Sequence, residues 1–421
     1  MSAERLYSPF QQSRHQCNPI PVVVHRHRCY RLLVSQTVSI EPFTIAVPDA
    51  VLAELRERIG QVRWPAGIAI DGWDEGTDPA YLRTLLAAWA QFDWRARERA
   101  LARFPHFRAL IGGTWIHFIH ERGRGPQPLP IVLTHGWPSS FTEHLPLIPL
   151  LTDPAAHGGR AEDAFDVVVA SLPGYGFSTR PAGPGLTSSG IADRWHALMR
   201  EGLGYEWFGA HGSDIGAGVT TRLGWRHSGS VAGIHLASVS FAEPPPPWSP
   251  AEREYLATVA AWDAAEGAYS HVQSTKPATL AMALNDSPAG LAAWIIEKFR
   301  AWSDCNGDVE THFGRDQLLT NLTIYWATQT IGSSMRLYYE HRRHGGLMPP
   351  GTRVEVPAGF AIFANEFVPA GRPPRELAER TYQVTRWSEL PHGGHFAALE
   401  EPKTLAEEIR AFFRPLRRGR L

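Results

Sequence analysis

Short apolar runs, each ending at a turn, punctuate the chain from about residue 106 onward. HFRALIGG (106–113) and TWIHFIHERG (114–123) predict two strands joined by a Gly-Gly turn. PLPIVLTHGW (128–137), FDVVVASLPGYGFS (165–178), YEWFGAHGSDIG (205–216) and VAGIHLASVSFAEP (231–244) each predict a strand that runs into a turn. Stretches of helical spacing, such as 191–202, lie between them. Apolar runs alternating with helices predict a mostly parallel central sheet with helices on both faces.

The flanking segments follow other patterns. Val51, Leu52, Leu55 and Ile59 recur at helical spacing behind Pro48-Asp49, and the pattern stops near Gly60. A second helix is expected from about Pro79 to Arg103, with Leu82, Leu85, Leu86 and Trp89 on one face. Residues 39–105 therefore read as an N-terminal helical extension, and 106–243 as the first part of an α/β core. The proline run 244–247 breaks the rhythm after the sixth predicted strand, and 244–345 reads as an inserted helical lid. The core resumes over 346–421 with strands in TRVEVPAGFAIFANE (352–366) and TYQVTRWSEL (381–390), then a last amphipathic helix at 404–413. Residues 1–38 read as a leader, poorly ordered or upstream of the true start, with a single early strand as the alternative. Its IPVVV run is too short for the apolar centre of a secretory signal, and HRHR follows at once.

Composition narrows the function classes. The 421 residues are 43% hydrophobic and 20% charged, an ordinary globular balance. The formal net charge is −1 and no basic block stands out, which argues against nucleic acid and acidic membrane surfaces as partners. Cys17, Cys29 and Cys305 form neither a disulfide framework nor a zinc pattern, so a reducing cytoplasm is the expected location. No apolar run approaches the about 20 residues that cross a bilayer.

The candidate chemistry starts at Gly212-Ser213-Asp214-Ile215-Gly216, between a predicted strand and a small-residue helix start. Glycines on either side let the backbone turn sharply and lift the central side chain above the sheet. Many hydrolases hold a serine there; here it is Asp214. The following N–H, of Ile215, would face charge forming beside it. Capping of the helix by Asp214 is the plain alternative, and Ser213 is an off-centre rival. In the α/β-hydrolase pattern the nucleophile, an acid and a histidine follow in that chain order. His395 in HGGHFAALEEP stands between a strand and a helix, as required, with His392 as the rival. Glu366 ends AGFAIFANE and would orient the imidazole, with Glu243 one strand earlier as competitor. Thr134-His135-Gly136-Trp137-Pro138 follows the first deep strand, where Trp137 N–H would be the second oxyanion donor and His135 a structural histidine.

HGWP, LPGYGFS (172–178), GxDxG, AYSHVQSTKPATLAMALNDSP (268–288) and GGHFAALEEP, in this order, resemble the microsomal-type epoxide hydrolases, over about residues 40–415. The prelude with VPDAVLAELRERI and RWP is similar to that family's N-terminal domain. The resemblance implies an α/β-hydrolase fold, a nucleophile at Asp214, a base at His395 and an acid at Glu366. It also implies two lid tyrosines that protonate the epoxide oxygen, matched by Tyr269 and by Tyr338, with Tyr339 adjacent. The family usually has Trp after the nucleophile; Ile215 leaves the backbone donor in place and alters the pocket. The membrane anchor of the vertebrate members is missing, so a soluble enzyme without metal or organic cofactor is expected.

The resemblance explains the aspartate. Carboxylate attack on an epoxide carbon leaves an ester, which an activated water can cleave; a serine would leave an ether, which this triad could not. A haloalkane dehalogenase would share Asp214, and a non-catalytic ligand-binding relative is the third alternative. Fifteen tryptophans and a helical lid suggest an apolar or aryl-bearing epoxide as the small-molecule partner. Biosynthesis, detoxification and a homodimer are left open.

Overall fold

The computed structural model describes residues 38–65, 72–239, 245–346 and 348–419. The leader through residue 37 and the rival acid Glu243 lie outside the described residues. Among the described residues nine strands form one sheet: β1 (Ser39–Pro42), β2 (His106–Ile111), β3 (Thr114–Glu121), β4 (Leu129–Thr134), β5 (Phe165–Ala170), β6 (Phe208–Gly212), β7 (Val231–Leu236), β8 (Val354–Phe363) and β9 (Tyr382–Leu390). Their order is β1-β2-β3-β5-β4-β6-β7-β8-β9. The first three pairings are antiparallel and the rest parallel.

Every residue of β5, β6 and β7 is buried. That is why they read as continuous apolar or small-residue runs: helices cover both faces. The register aligns their ends. Thr134 lies opposite Ala170 on one side and Gly212 on the other, and Gly212 lies opposite Leu236. The turns HGWP, LPGYG and GSDIG therefore open along one edge of the sheet. In parallel sheets that carboxyl edge is where ligands bind.

Two features of the N-terminal segment differ from the sequence pattern. Ser39–Pro42 pairs antiparallel with β2, so the run at 231–236 is the seventh strand of the sheet. Four residues are too few to show an alternation. The helix expected over 79–103 is two helices, Pro79–Ala90 and Trp94–Leu101. Asp78 caps the first and Asp93 the second, where its carboxylate accepts the Ala96 N–H at 2.9 Å.

Between β7 and β8 the helices are Pro250–Glu266, Ala268–Thr275, Pro277–Asp286, Pro288–Trp302, Glu310–Thr328 and Ile331–His344. Proline opens three of them, where its missing N–H costs nothing. The N-terminal helices pack on this group: Trp89 Nε1 donates to Thr323 Oγ1 at 2.8 Å, and Arg58 pairs with Asp286 at 2.7 Å. Among the described residues no helix is long and apolar enough to cross a membrane.

Candidate active site

β6 ends at Gly212, and the helix Asp214–Arg226 begins two residues later. So short a turn forces Asp214 to φ 49°, a left-handed conformation that strains a residue with a side chain. Neighbouring glycines permit it. A Cβ on Gly216 would lie 1.9 Å from the Thr134 carbonyl oxygen, and one on Gly136 would lie 2.4 Å from Asp214 Cβ. Ser238, just after β7, accepts the Asp214 N–H at 2.9 Å.

The carboxylate of Asp214 sits between the HGWP turn and the first turn of its own helix. Its Oδ1 accepts the Trp137 N–H at 2.8 Å, and the Ile215 N–H bonds the same carboxylate. Burial raises the Asp214 pKa, while His395 and these two N–H groups pull against it.

His395 and Glu366 arrive from the loops after β9 and β8. His395 Nδ1 lies 3.1 Å from both Glu366 oxygens, and both residues are buried. The other ring nitrogen, Nε2, is 3.8 Å from Asp214 Oδ2, too far for a direct hydrogen bond. The His395 pKa is pushed up to about 9: burial opposes the charge, but Glu366 and then Asp214 and Glu143 outweigh it. Glu366 is braced by the Val368 N–H at 2.8 Å. Glu400 holds the histidine loop, accepting the N–H groups of Asp304, Gly394 and Phe396 at 2.7–2.9 Å. The carbonyl of Trp302 accepts the His395 N–H at 2.9 Å, and its indole lies 4.9 Å from the imidazole at a steep angle.

The lid closes over this group. Tyr269 stacks on Trp137 with ring centroids 5.4 Å apart, and Tyr338 meets both edge-on at 6.2 and 6.1 Å. Burial, with Asp214 close by, raises the pKa of both phenols, Tyr338 further through Tyr269. Asp214, Tyr269 and Tyr338 share a cavity of about 380 Å³. Tyr339 instead lines a separate groove of about 830 Å³ that contains none of Asp214, Glu366 and His395.

The remaining sequence candidates lie apart from the carboxylate. His392 is exposed. Ser213 donates to the buried Glu143 at 3.0 Å. His135 is fully buried between the Gly136 carbonyl and the Leu172 N–H. Glu143, Ser238, Glu400 and Trp302 were not singled out by sequence. Glu143 follows HGWPSS closely enough to mark it as part of that loop, but a glutamate in SSFTEH reads as solvated. The carbonyl of Trp302 leaves no trace in composition.

The family described as "Epoxide hydrolase N terminus" matches residues 40–144, and "alpha/beta hydrolase fold" matches 130–276. A Stigmatella aurantiaca relative that carries an epoxide hydrolase name is 44% identical over 383 residues, 90% of this chain and 86% of its own. Epoxide hydrolase 1 of Oryctolagus cuniculus is 36% identical over 414 residues, 89% of this chain and 88% of its own. The crystal structure of juvenile hormone epoxide hydrolase from Bombyx mori superposes with a TM-score of 0.81 at 30% identity, covering 91% of this chain and 96% of that one.

Proposed function

We propose that this chain, which belongs to the epoxide hydrolase family, opens an epoxide with Asp214 and releases a vicinal diol by hydrolysing the ester it forms. Asp214 Oδ2 attacks an epoxide carbon as the ring C–O bond breaks. The departing oxygen takes a proton from Tyr338 or Tyr269. Both phenols have raised pKa values, so they are protonated donors at neutral pH. The product of this step is a hydroxyalkyl ester on Asp214.

Hydrolysis uses the opposite face of the site. A water held between His395 Nε2 and the Asp214 carboxyl, which are 3.8 Å apart, gives its proton to the imidazole. Its oxygen attacks the ester carbonyl carbon. The resulting oxyanion on Oδ1 is held by the N–H groups of Trp137 and Ile215, which already point at that carboxyl. The tetrahedral intermediate collapses and the diol oxygen leaves with the proton from His395; Asp214 then gives up to solvent the proton that the attacking water left on its carboxyl, and the phenolate takes one back, which restores the starting state. Glu366 balances the imidazolium through both its oxygens.

The observation that carries this reading is a carboxylate in the nucleophile position that accepts two backbone N–H groups, with a carboxylate-backed histidine facing its Oδ2. The aspartate exchanges one carboxyl oxygen with solvent in each full cycle. After many turnovers in heavy-oxygen water, the tryptic peptide containing Asp214 should therefore gain heavy oxygen. A peptide that stays light while diol accumulates excludes the ester route.

A further inference from the structure

Ser213 stands at the N-cap of the nucleophile's helix and does not cap it. Its backbone is extended, φ −120° and ψ 160°, as is usual at that position, yet its hydroxyl accepts no N–H of the helix. A serine there ordinarily takes the N–H two or three residues on, which here belong to Ile215 and Gly216. The Ile215 N–H instead bonds the Asp214 carboxylate. A capping Ser213 would therefore compete for an oxyanion donor.

Glu143 stands against that competition. It lies in the turn Phe141–His144, just after HGWPSS, and is 2% exposed. One of its carboxyl oxygens accepts the Ser213 hydroxyl at 3.0 Å, and the Ser139 hydroxyl serves the same carboxyl. The bond holds Ser213 Oγ where it reaches no helix N–H. Ser213 is buried, so its hydroxyl needs a protein partner. Without Glu143, the helix start is the partner a serine at this position ordinarily finds. The loop that supplies the Trp137 N–H thus also guards the Ile215 N–H.

We propose that Glu143 is a positioning residue: by holding the Ser213 hydroxyl, it keeps the Ile215 N–H free for the oxyanion of ester hydrolysis. The inference rests on the hydrolase reading and deepens it. Ring opening removes charge from Asp214, whereas water attack on the ester puts new charge there. Loss of the donor therefore slows the second step and not the first.

The test follows ester formation and ester decay separately in the full chain, by rapid quench and intact-protein mass. Glu143→Met removes the acceptor at similar volume. It should slow ester decay by about tenfold, a part of the about 10²–10³ that one oxyanion donor contributes, and leave ester formation within about threefold. Glu143→Gln keeps an oxygen for the hydroxyl but loses the charge that Glu143 places near His395, so acceptor and charge are told apart; its ester decay should exceed that of Glu143→Met by about fivefold or more. Adding Ser213→Ala to Glu143→Met should restore ester decay, because no hydroxyl is left to cap. Equal slowing in the Gln and Met variants, wild-type decay in Glu143→Met, or no recovery in the double variant overturns the proposal. So does a Ser213→Ala single variant that cleaves ester faster than the wild type, a measurement that leaves Glu143 in place and stands whether or not Glu143→Met folds. Labelling isoleucine with heavy nitrogen reads the Ile215 amide without substrate: its resonance, assigned through Ile215→Val, should shift in Glu143→Met and return in the double variant. Diol formation with no ester on Asp214 in any variant removes the ester route, and this amide then decides the positioning alone. Ester on Asp214 with the same kinetics in every variant removes the positioning and leaves the hydrolase reading standing.

Discussion

Replacing His395 with glutamine separates the two halves of the proposed reaction. Glutamine can still bond Glu366 but cannot take a proton from water. A positioned general base contributes about 10²–10⁴ in rate, so ester hydrolysis should slow by about 10³, or about 4 kcal/mol at 1.36 kcal/mol per decade. Ring opening loses less. With a pKa of about 9, His395 is cationic at neutral pH and holds the Asp214 pKa down. Removing that cation lets burial raise the carboxyl pKa, which slows ring opening as well but by less, on the order of tenfold. The balance then shifts about 100-fold toward the ester, which accumulates. Intact-protein mass should rise by one substrate mass after epoxide exposure. The adduct should map to the tryptic peptide Glu201–Arg222, in which Asp214 is the sole aspartate. A folded variant that forms diol at the wild-type rate, or that carries no adduct on that peptide, would refute the base assignment.

Two further outcomes follow from the same geometry. Tyr269→Phe and Tyr338→Phe each remove one phenol from the pair around Trp137, so each should slow ring opening by about 10- to 100-fold and leave ester hydrolysis within about twofold. Stopped-flow tryptophan quenching resolves the two steps, and equal slowing of both would contradict the donor role. The pH dependence of stability has a definite sign: the folded-state pKa of His395 is raised from 6.5 to about 9. Its pairing therefore stabilises the fold fully below about pH 6.5 and is lost as pH rises through about 9. Thermal melts should show a wild-type decline across that window that Glu366→Gln largely lacks; parallel curves for the two proteins count against the coupling.

The strand–turn units of the core were legible because parallel, doubly covered strands must be apolar throughout. Phe165–Ala170 announces itself for that reason, and Ser39–Pro42 does not. Asp214, His395 and Glu366 were nominated by their place at strand ends, a property that parallel topology turns into proximity. The break at Asp93 was missed because no glycine or proline marks it in AQFDW (90–94), and the cap that opens the second helix is one side chain. Tyr338 and Tyr339 could not be told apart by spacing, since neighbours on a helix differ by about 100° in direction. Only the fold shows which of them shares a cavity with Asp214. The supports of the histidine loop were illegible for a different reason. Glu400 acts by accepting backbone N–H groups, and the Trp302 main chain by its carbonyl, so neither role depends on a recognisable motif.

The free enzyme holds His395 in a state that does not suit a base, and the proposed first step itself corrects this. Burial alone would keep the imidazole neutral; Glu366 and then Asp214 raise its pKa to about 9. While Asp214 is an anion, the cation opposite it serves the nucleophile, because it keeps a buried carboxyl ionised. Esterification converts that anion to a neutral group. One of the charges raising the His395 pKa then disappears, while the burial that lowers it stays or increases as substrate fills the site. The imidazole can now lose its proton and accept one from water. Glu366 remains to stabilise the charge when it returns, which is why a second acid, paired with the histidine and not esterified, is needed in addition to Asp214. In the proposed reaction the order of events thus follows from the electrostatics: a charged histidine before ring opening, a neutral one after it, with the nucleophile's own charge as the switch.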